Sequence, residues 1–288
     1  LLNTALQDAK ASVRFYQGVS YPELIMNVPY LVEGVYQISN KEELYAFTLL
    51  VNNGETSANA VLTADITVNT GVLKSDGTLN NNVSGFETWT PIGFGFEYKG
   101  TFDGKGYTVS GLYFNDSSKE NVGLFGYVDS GGKISNVGVL DSYFQFGAQG
   151  GGVCGVNYGE LQNCSNSSTV IGTQGDTKIG GVCGDNYGTV RDCKNTGSVR
   201  GNEKIGGVCG YNENGGIIEN CFNEGTFSET IKSVGGVCGE NRGTIRSCYN
   251  TASVSGTDYL GGVCSENLDG GTITNCFNEG TVSGQYSV

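Results

Sequence analysis

The 288-residue chain contains no histidine. That absence removes Ser-His-Asp and Cys-His catalysis, the HExxH zinc helix and every His-ligated metal site. Proline occurs three times, at Pro22, Pro29 and Pro91, and charged residues make up only 16%, too few for a disordered polyelectrolyte. No run of about 18 apolar residues occurs, so membrane insertion is not expected. The opening LLNTALQDAK lacks the basic n-region and apolar core of a signal peptide and reads as the start of a mature or trimmed chain. Basic patches are missing too. The net charge of −13 is spread along the chain, with 8 Lys+Arg against 15 Asp+Glu in 1–150 and 8 against 14 in 151–288. Such a surface repels nucleic acid and anionic membrane, and neither is expected as a partner.

What the chain has instead is glycine, 48 residues without the three-residue period of collagen, and ten cysteines. The cysteines define a repeat. GGVCG stands at 151–155, 180–184, 206–210 and 235–239, and GGVCS at 261–265. The first cysteines, Cys154, Cys183, Cys209, Cys238 and Cys264, are spaced 29, 26, 29 and 26; the second, Cys164, Cys193, Cys221, Cys248 and Cys276, are spaced 29, 28, 27 and 28. A degenerate copy at 123–142 has Phe125 and Val137 in their places. Asn157, Asn186, Asn212, Asn241 and Asn267 follow the glycine motif, and Asn166, Asn195, Asn223, Asn250 and Asn278 each lie two residues after the second cysteine.

Each copy holds three short apolar-bearing runs, too brief for helices. A unit of about 28 residues with three strands and three corners predicts one rung of a parallel β-solenoid, right-handed, in which like residues stack about 4.8 Å apart. Six or seven such rungs give a shaft of roughly 30 Å. The asparagines are expected as corner ladders, suited by their tolerance of left-handed backbone and by amides that bond turn groups. Length changes collect at 171–179, 211–216 and 266–271, where contact with a partner is expected.

Upstream, a helix over 40–52 is predicted, with Ser39 as N-cap, Glu42 completing a capping box, Gly54 ending it, and an apolar face of Leu44, Phe47, Leu50 and Val51. The expected organisation is therefore an N-terminal extension or linker over 1–34, a helical cap over 35–60 and an all-β parallel solenoid over 61–288, with five full cysteine rungs from 151.

The unit GGVCG-x-N…G-x-I/V-x-x-C-x-N-x-G-S/T-V-x-G resembles the GLUG-motif repeats of bacterial surface proteins. YQISNKEELYAFTLLVN, LTADI, WTPIG and GTFDGKGYTVSGLYF are similar to the lead-in before such repeats, so the resemblance covers roughly 35–288. It implies a secreted or cell-surface module for adhesion, interaction or spacing, whose partner is a host or bacterial surface protein or a glycan. Relatives include immunoglobulin A proteases that carry the repeats outside their catalytic domain. With no histidine, no zinc-protease residue carries over.

A metal site wants thiolates converging on one centre, often as Cys-x₂-Cys, whereas these lie ten or twelve apart within a rung and spread along a line; no metal or cofactor is expected. Arg191, Lys194 and Arg246 adjoin only some cysteines, so no thiol activation is expected. Two readings stay open, buried thiols and in-rung disulfides. Strand parity leaves another pair open. Either the glycines distort the strand, or Val153, Val182, Val208, Val237 and Val263 form an outward apolar stripe.

The rival function is a polysaccharide lyase or hydrolase, which needs paired carboxylates. Asp185 and Glu240 share one rung position and Asp192 is close in sequence, but the position reads Val156, Asp185, Tyr211, Glu240 and Glu266, as a tolerant surface site does. The chain stops soon after its fifth complete rung, so continuation into further domains or end-to-end self-association is expected.

Overall fold

The structure, a computed structural model, describes residues 28–228 and 232–286; residues 1–27, most of the extension expected over 1–34, lie outside them. The chain winds as a parallel β-solenoid of about nine turns. One column of strands runs the whole length, from Val35–Ile38 and Asn59–Leu62 to Thr244–Arg246 and Thr272–Thr274, each parallel to the next. Nine strands at about 4.8 Å make a shaft of about 40 Å, longer than the roughly 30 Å expected from six or seven rungs. The column begins ahead of the boundary expected at 61. Val35–Ile38 already lies in it, with Tyr30–Val32 folded back antiparallel on its outer edge through Glu33 and Gly34, both at positive φ.

The rung of the second cysteine repeat shows the cross-section. Lys178–Gly180 forms a first face, Cys183–Asn186 a second, Thr189–Arg191 a third, and Lys194–Asn195 with Ser198–Arg200 a fourth. The sequence reading of three strands undercounts because the chain turns inside GGVCG itself. Gly181 and Val182 bend the backbone between two strands, so Val182 and Cys183, consecutive residues, both point inward. The carbonyl of Val208 accepts from both Val182 N and Cys183 N at 2.9 and 3.0 Å, and the same doubled bond recurs at Val182, Val237 and Val263. Val153, Val182, Val208 and Val237 are completely buried and Val263 packs against the core, so the outward apolar stripe does not exist.

Glycine is required at this bend by lack of space. A Cβ on Gly207 would lie 2.2 Å from the Asn223 side chain and 2.3 Å from the Gly236 carbonyl oxygen, and Gly152, Gly181, Gly236 and Gly262 meet the asparagine ladder in the same way.

Left-handed backbone is found elsewhere than at the ladder asparagines. Asn136, Asn163, Asp192, Asn220, Ser247 and Asn275 have φ of 52–56°, and each precedes the second cysteine or its Val137 equivalent. Short polar side chains tolerate that conformation best. Two pairs of them bond between rungs at the surface, Asn163 Nδ2 donating to Asn136 Oδ1 at 2.8 Å and Asn220 Nδ2 to Asp192 Oδ1 at 3.2 Å.

Helix α1, Lys41–Asn52, connects the first two strands of the long column. Its N-cap is Asn40, one residue beyond the expected Ser39, because Asn40 Oδ1 accepts from Glu43 N at 3.0 Å while Glu43 reaches back to Ser39 N at 2.7 Å. The arrangement differs from a capping box in one bond: Glu43, not Glu42, is the third helical residue, and it accepts from Ser39 before the N-cap rather than from the N–H of Asn40 itself. Leu44, Ala46, Phe47, Thr48 and Val51 are buried and Leu50 is partly so. Phe47 meets Tyr98 and Phe102, and those two meet Phe125, so the helix closes the aromatic end of a core that continues as Val, Ile and Cys.

Candidate functional site

The inner side of the second face is filled by cysteine and asparagine. The first cysteines stack in register, Cys154 on Cys183, then Cys209, Cys238 and Cys264, with Phe125 beneath them in the degenerate rung. All ten cysteines are free thiols, eight of them buried and Cys264 and Cys276 half-buried. First-column sulfurs donate to carbonyls two residues on, as Cys209 does to Tyr211 O at 3.1 Å; second-column sulfurs donate two residues back, as Cys193 does to Arg191 O at 3.1 Å. Burial holds the thiols of Cys183, Cys221 and Cys238 well above their ordinary range. The neighbouring cations are committed elsewhere. Arg191 pairs with Glu160 and Asp192, Lys194 with Glu224, and Arg246 with Glu219.

Both asparagine ladders are continuous. Nδ2 of Asn157, Asn186, Asn212 and Asn241 donates to Oδ1 of the next at 2.7–2.8 Å, ending at Asn267. In the second, Asn166, Asn195, Asn223 and Asn250 do so at 2.7–2.9 Å, ending at Asn278. Of the ten, the eight donors are buried, Asn278 is half-buried and Asn267 is exposed. The buried amides also bond their own turns, as Asn223 Oδ1 does with Gly225 N at 3.0 Å. With its bonds taken up this way, such an amide has little left to offer a ligand.

The outer side of the same face is different, because there the repeat position varies. Tyr127, on this face, stacks at 5.3 Å on Tyr158, at the corner that follows the face, and Tyr158 stacks at 4.2 Å on Tyr187 at the same corner of the next rung, all with nearly parallel rings. Tyr127 also borders a groove of about 460 Å³ lined by Phe94, Phe96, Lys119, Glu120 and Asn121, where the buried side-chain oxygen of Asn121 has no partner among the described residues. At the other end of the stack two of the variable corners meet. Lys178, from 171–179, lies 2.5 Å from Asp185 and 3.3 Å from Glu213, from 211–216, and its ammonium sits 4.7 Å from the Tyr211 ring centre. Arg242 Nε donates to Tyr211 Oη at 2.5 Å, and Lys204 sits 5.7 Å from the same ring. The third variable corner, 266–271, touches this side through Glu266, which accepts from Ser233.

The carboxylates of the enzyme reading do not converge. Asp185 and Glu240 are two rungs apart with Tyr211 between them. Asp192 stands at a left-handed corner of another face, bonded to Arg191 and Asn220. Asp185 is only 2% exposed, its Oδ1 unpartnered among the described residues. Burial, opposed by Lys178, pushes its carboxyl up to about 7. A folded-state pKa above the ordinary 3.8 means that the folded chain holds the extra proton between roughly pH 4 and 7, so stability falls as pH rises through that window. In Asp185→Asn the melting temperature is therefore expected to decline less between pH 4 and pH 8 than in the parent; parallel curves would refute the assignment.

The aromatic stacks escaped the sequence reading, although their signal is present. Tyr158 and Tyr187 each follow a ladder asparagine, and Phe222, Tyr249 and Phe277, stacked at 3.9 and 4.9 Å, each follow a second cysteine.

The family profile described as "The GLUG motif" matches residues 201–228. The chain carries a GLUG repeat. That GLUG rung contains Cys209, Cys221, Asn212, Asn223 and Tyr211, so both thiol columns, both ladders and the candidate site pass through it. Among curated relatives, halomucin of Haloquadratum walsbyi is 32% identical over 172 residues, 58% of this chain and 2% of that protein. A Gly-rich membrane protein of Evansella cellulosilytica is 32% identical over 81 residues, 27% of this chain and 9% of the other. The chain thus spans a small fraction of the curated relatives it matches. A solved Bacteroides ovatus protein, described as an immunoglobulin A1 protease, superposes with a TM-score of 0.66 over 87% of this chain and 77% of that one at 20% identity. At that identity the likeness is one of fold.

Proposed function

We propose that the chain is a non-catalytic repeat module of a cell-surface or membrane-associated protein, used for adhesion or interaction. In this reading it grips a surface glycan or surface protein along the outer second face, from the Phe94 groove to the Lys178–Glu213 corner cluster. The observation that carries this is the tyrosine stack, which joins the groove to the meeting point of two variable corners. Tyrosine offers rigid contact area together with a hydroxyl, the combination favoured at recognition surfaces. The names of the relatives, a halomucin and a Gly-rich membrane protein, support a surface setting. No helix among the described residues is long and apolar enough to cross a membrane.

The test is binding of the labelled chain to glycan arrays and to intact bacterial and host cells. Tyr158→Ala/Tyr187→Ala is expected to lower the affinity for whatever is bound by at least tenfold, with the fold unchanged by circular dichroism. Full binding by the double variant would sink the assignment of the face. Turnover in a polysaccharide-degradation screen, abolished by Asp185→Asn or Glu240→Gln, would overturn the non-catalytic reading in favour of a lyase or hydrolase.

A further inference from the structure

The thiols form two separate columns, and the contacts between sulfurs and neighbouring cysteines run along a column. Cys164 N donates to Cys193 Sγ at 3.4 Å, Cys221 N to Cys248 Sγ at 3.3 Å, and Cys248 N to Cys276 Sγ at 3.4 Å. Within a rung the two cysteines are held apart. Cys183 begins the second face and Cys193 follows the third, and the strand Thr189–Arg191 with its buried Val190 stands between them. Register pairs Cys154 with Cys183, Cys183 with Cys209, Cys209 with Cys238 and Cys238 with Cys264. Stacked positions in a parallel sheet lie about 4.8 Å apart, inside the roughly 4.4–6.8 Å span between Cα atoms that a disulfide bridges.

We propose that each column is a site of oxidative cross-linking between successive rungs, so that under oxidising conditions the solenoid is stapled along its axis rather than across each rung. The reagent is a small disulfide oxidant such as oxidised glutathione. Two S–H bonds break and one S–S bond forms, and the two electrons and two protons pass to glutathione disulfide, which leaves as two glutathione thiols. Each link gives up the weak S–H···O bonds of the two sulfurs it joins and closes a loop of about 26–29 residues, the repeat length. Five is odd, so each column makes two links and strands one thiol. The linked chain keeps two free thiols out of ten.

The experiment is refolding of the reduced chain in a glutathione redox couple, with the oxidised form required to retain the circular dichroism of the reduced one. Thiols are then counted after denaturation without reductant. Two thiols are expected. None would mean in-rung pairing and ten would mean inert buried thiols, and either overturns the proposal. Tryptic mapping gives a second readout. A disulfide between peptides 134–178 and 179–191, placed on Cys154 rather than Cys164 by fragmentation, joins Cys154 to Cys183 as expected; one between 179–191 and 192–194 joins Cys183 to Cys193 and refutes it. The variant Cys183→Ser separates the two patterns by count alone. It isolates Cys154 and leaves three cysteines above the gap, so inter-rung linkage leaves three thiols, whereas in-rung linkage leaves only Cys193.

Discussion

Asn223→Ala is expected to destabilise the chain by about 3–5 kcal/mol in urea unfolding. Asn223 is fully buried at the middle of the second ladder. It accepts from Asn195 Nδ2 at 2.9 Å and from Gly225 N at 3.0 Å, and donates to Asn250 Oδ1 at 2.7 Å. Alanine removes all three bonds at once and leaves groups in two neighbouring rungs without their partner. Each buried polar group left unsatisfied costs about 1–3 kcal/mol. The vacated side chain also leaves a void against Gly207, which packs directly on it. Asn278→Ala is the control. Asn278 is half-buried at one end of the same ladder, where water can replace the lost amide, and a loss of about 1 kcal/mol is expected there. Equal losses at the two positions would show that the ladder is not what holds the rungs in register.

Gly207→Ala is expected to cost about 3 kcal/mol or more, although alanine is otherwise the mildest of replacements. A new Cβ falls 2.2 Å from Asn223 Cγ and 2.3 Å from the Gly236 carbonyl oxygen. Neither neighbour can give way easily, since one belongs to the amide ladder and the other is backbone of the next rung. Overpacking a well-filled core ordinarily costs about 1–3 kcal/mol, and here the ladder is displaced as well. Gly215→Ala makes the comparison sharp. Gly215 has φ of +88° but nothing within 4 Å of the added carbon, so only conformational strain of about 1–2 kcal/mol is expected. If Gly215→Ala proved the more damaging of the two, the reading of GGVCG as a close-packing motif would fail. Denaturant midpoints of the two variants decide it.

These two residues also show where sequence reasoning reached its limit. The spacing of Asn223 and its counterparts was enough to place them in a stack, because in a parallel coil a constant period forces like onto like. Nothing in the spacing says that the amides point inward, or that the second glycine of GGVCG exists to make room for them. Left-handed backbone was expected at the ladder asparagines and occurs instead at the residue before the second cysteine, because the chain turns there from the third face to the fourth and a short polar side chain tolerates that φ. Strand parity failed at Val182 for a related reason. Alternation holds only while the backbone stays extended, and the bend at Gly181–Val182 resets it within one residue.

The candidate site was legible only in pieces. Length variation marked 171–179 and 211–216 as places of contact. That Lys178 and Glu213 come within 3.3 Å, over Asp185 and against Tyr211, depends on two corners 35 residues apart being stacked on adjacent rungs. Asp185 looked like one of a pair of surface carboxylates, and packing sealed it.

The sequence by itself determined the solenoid, its period and the stacking of cysteine on cysteine and asparagine on asparagine, since those follow from repetition along the chain. The tertiary structure decided which side of each strand faces the core, which thiols are neighbours, and which variable corners share a face. Those depend on bends of a single residue and on contacts between rungs, and no local pattern encodes either.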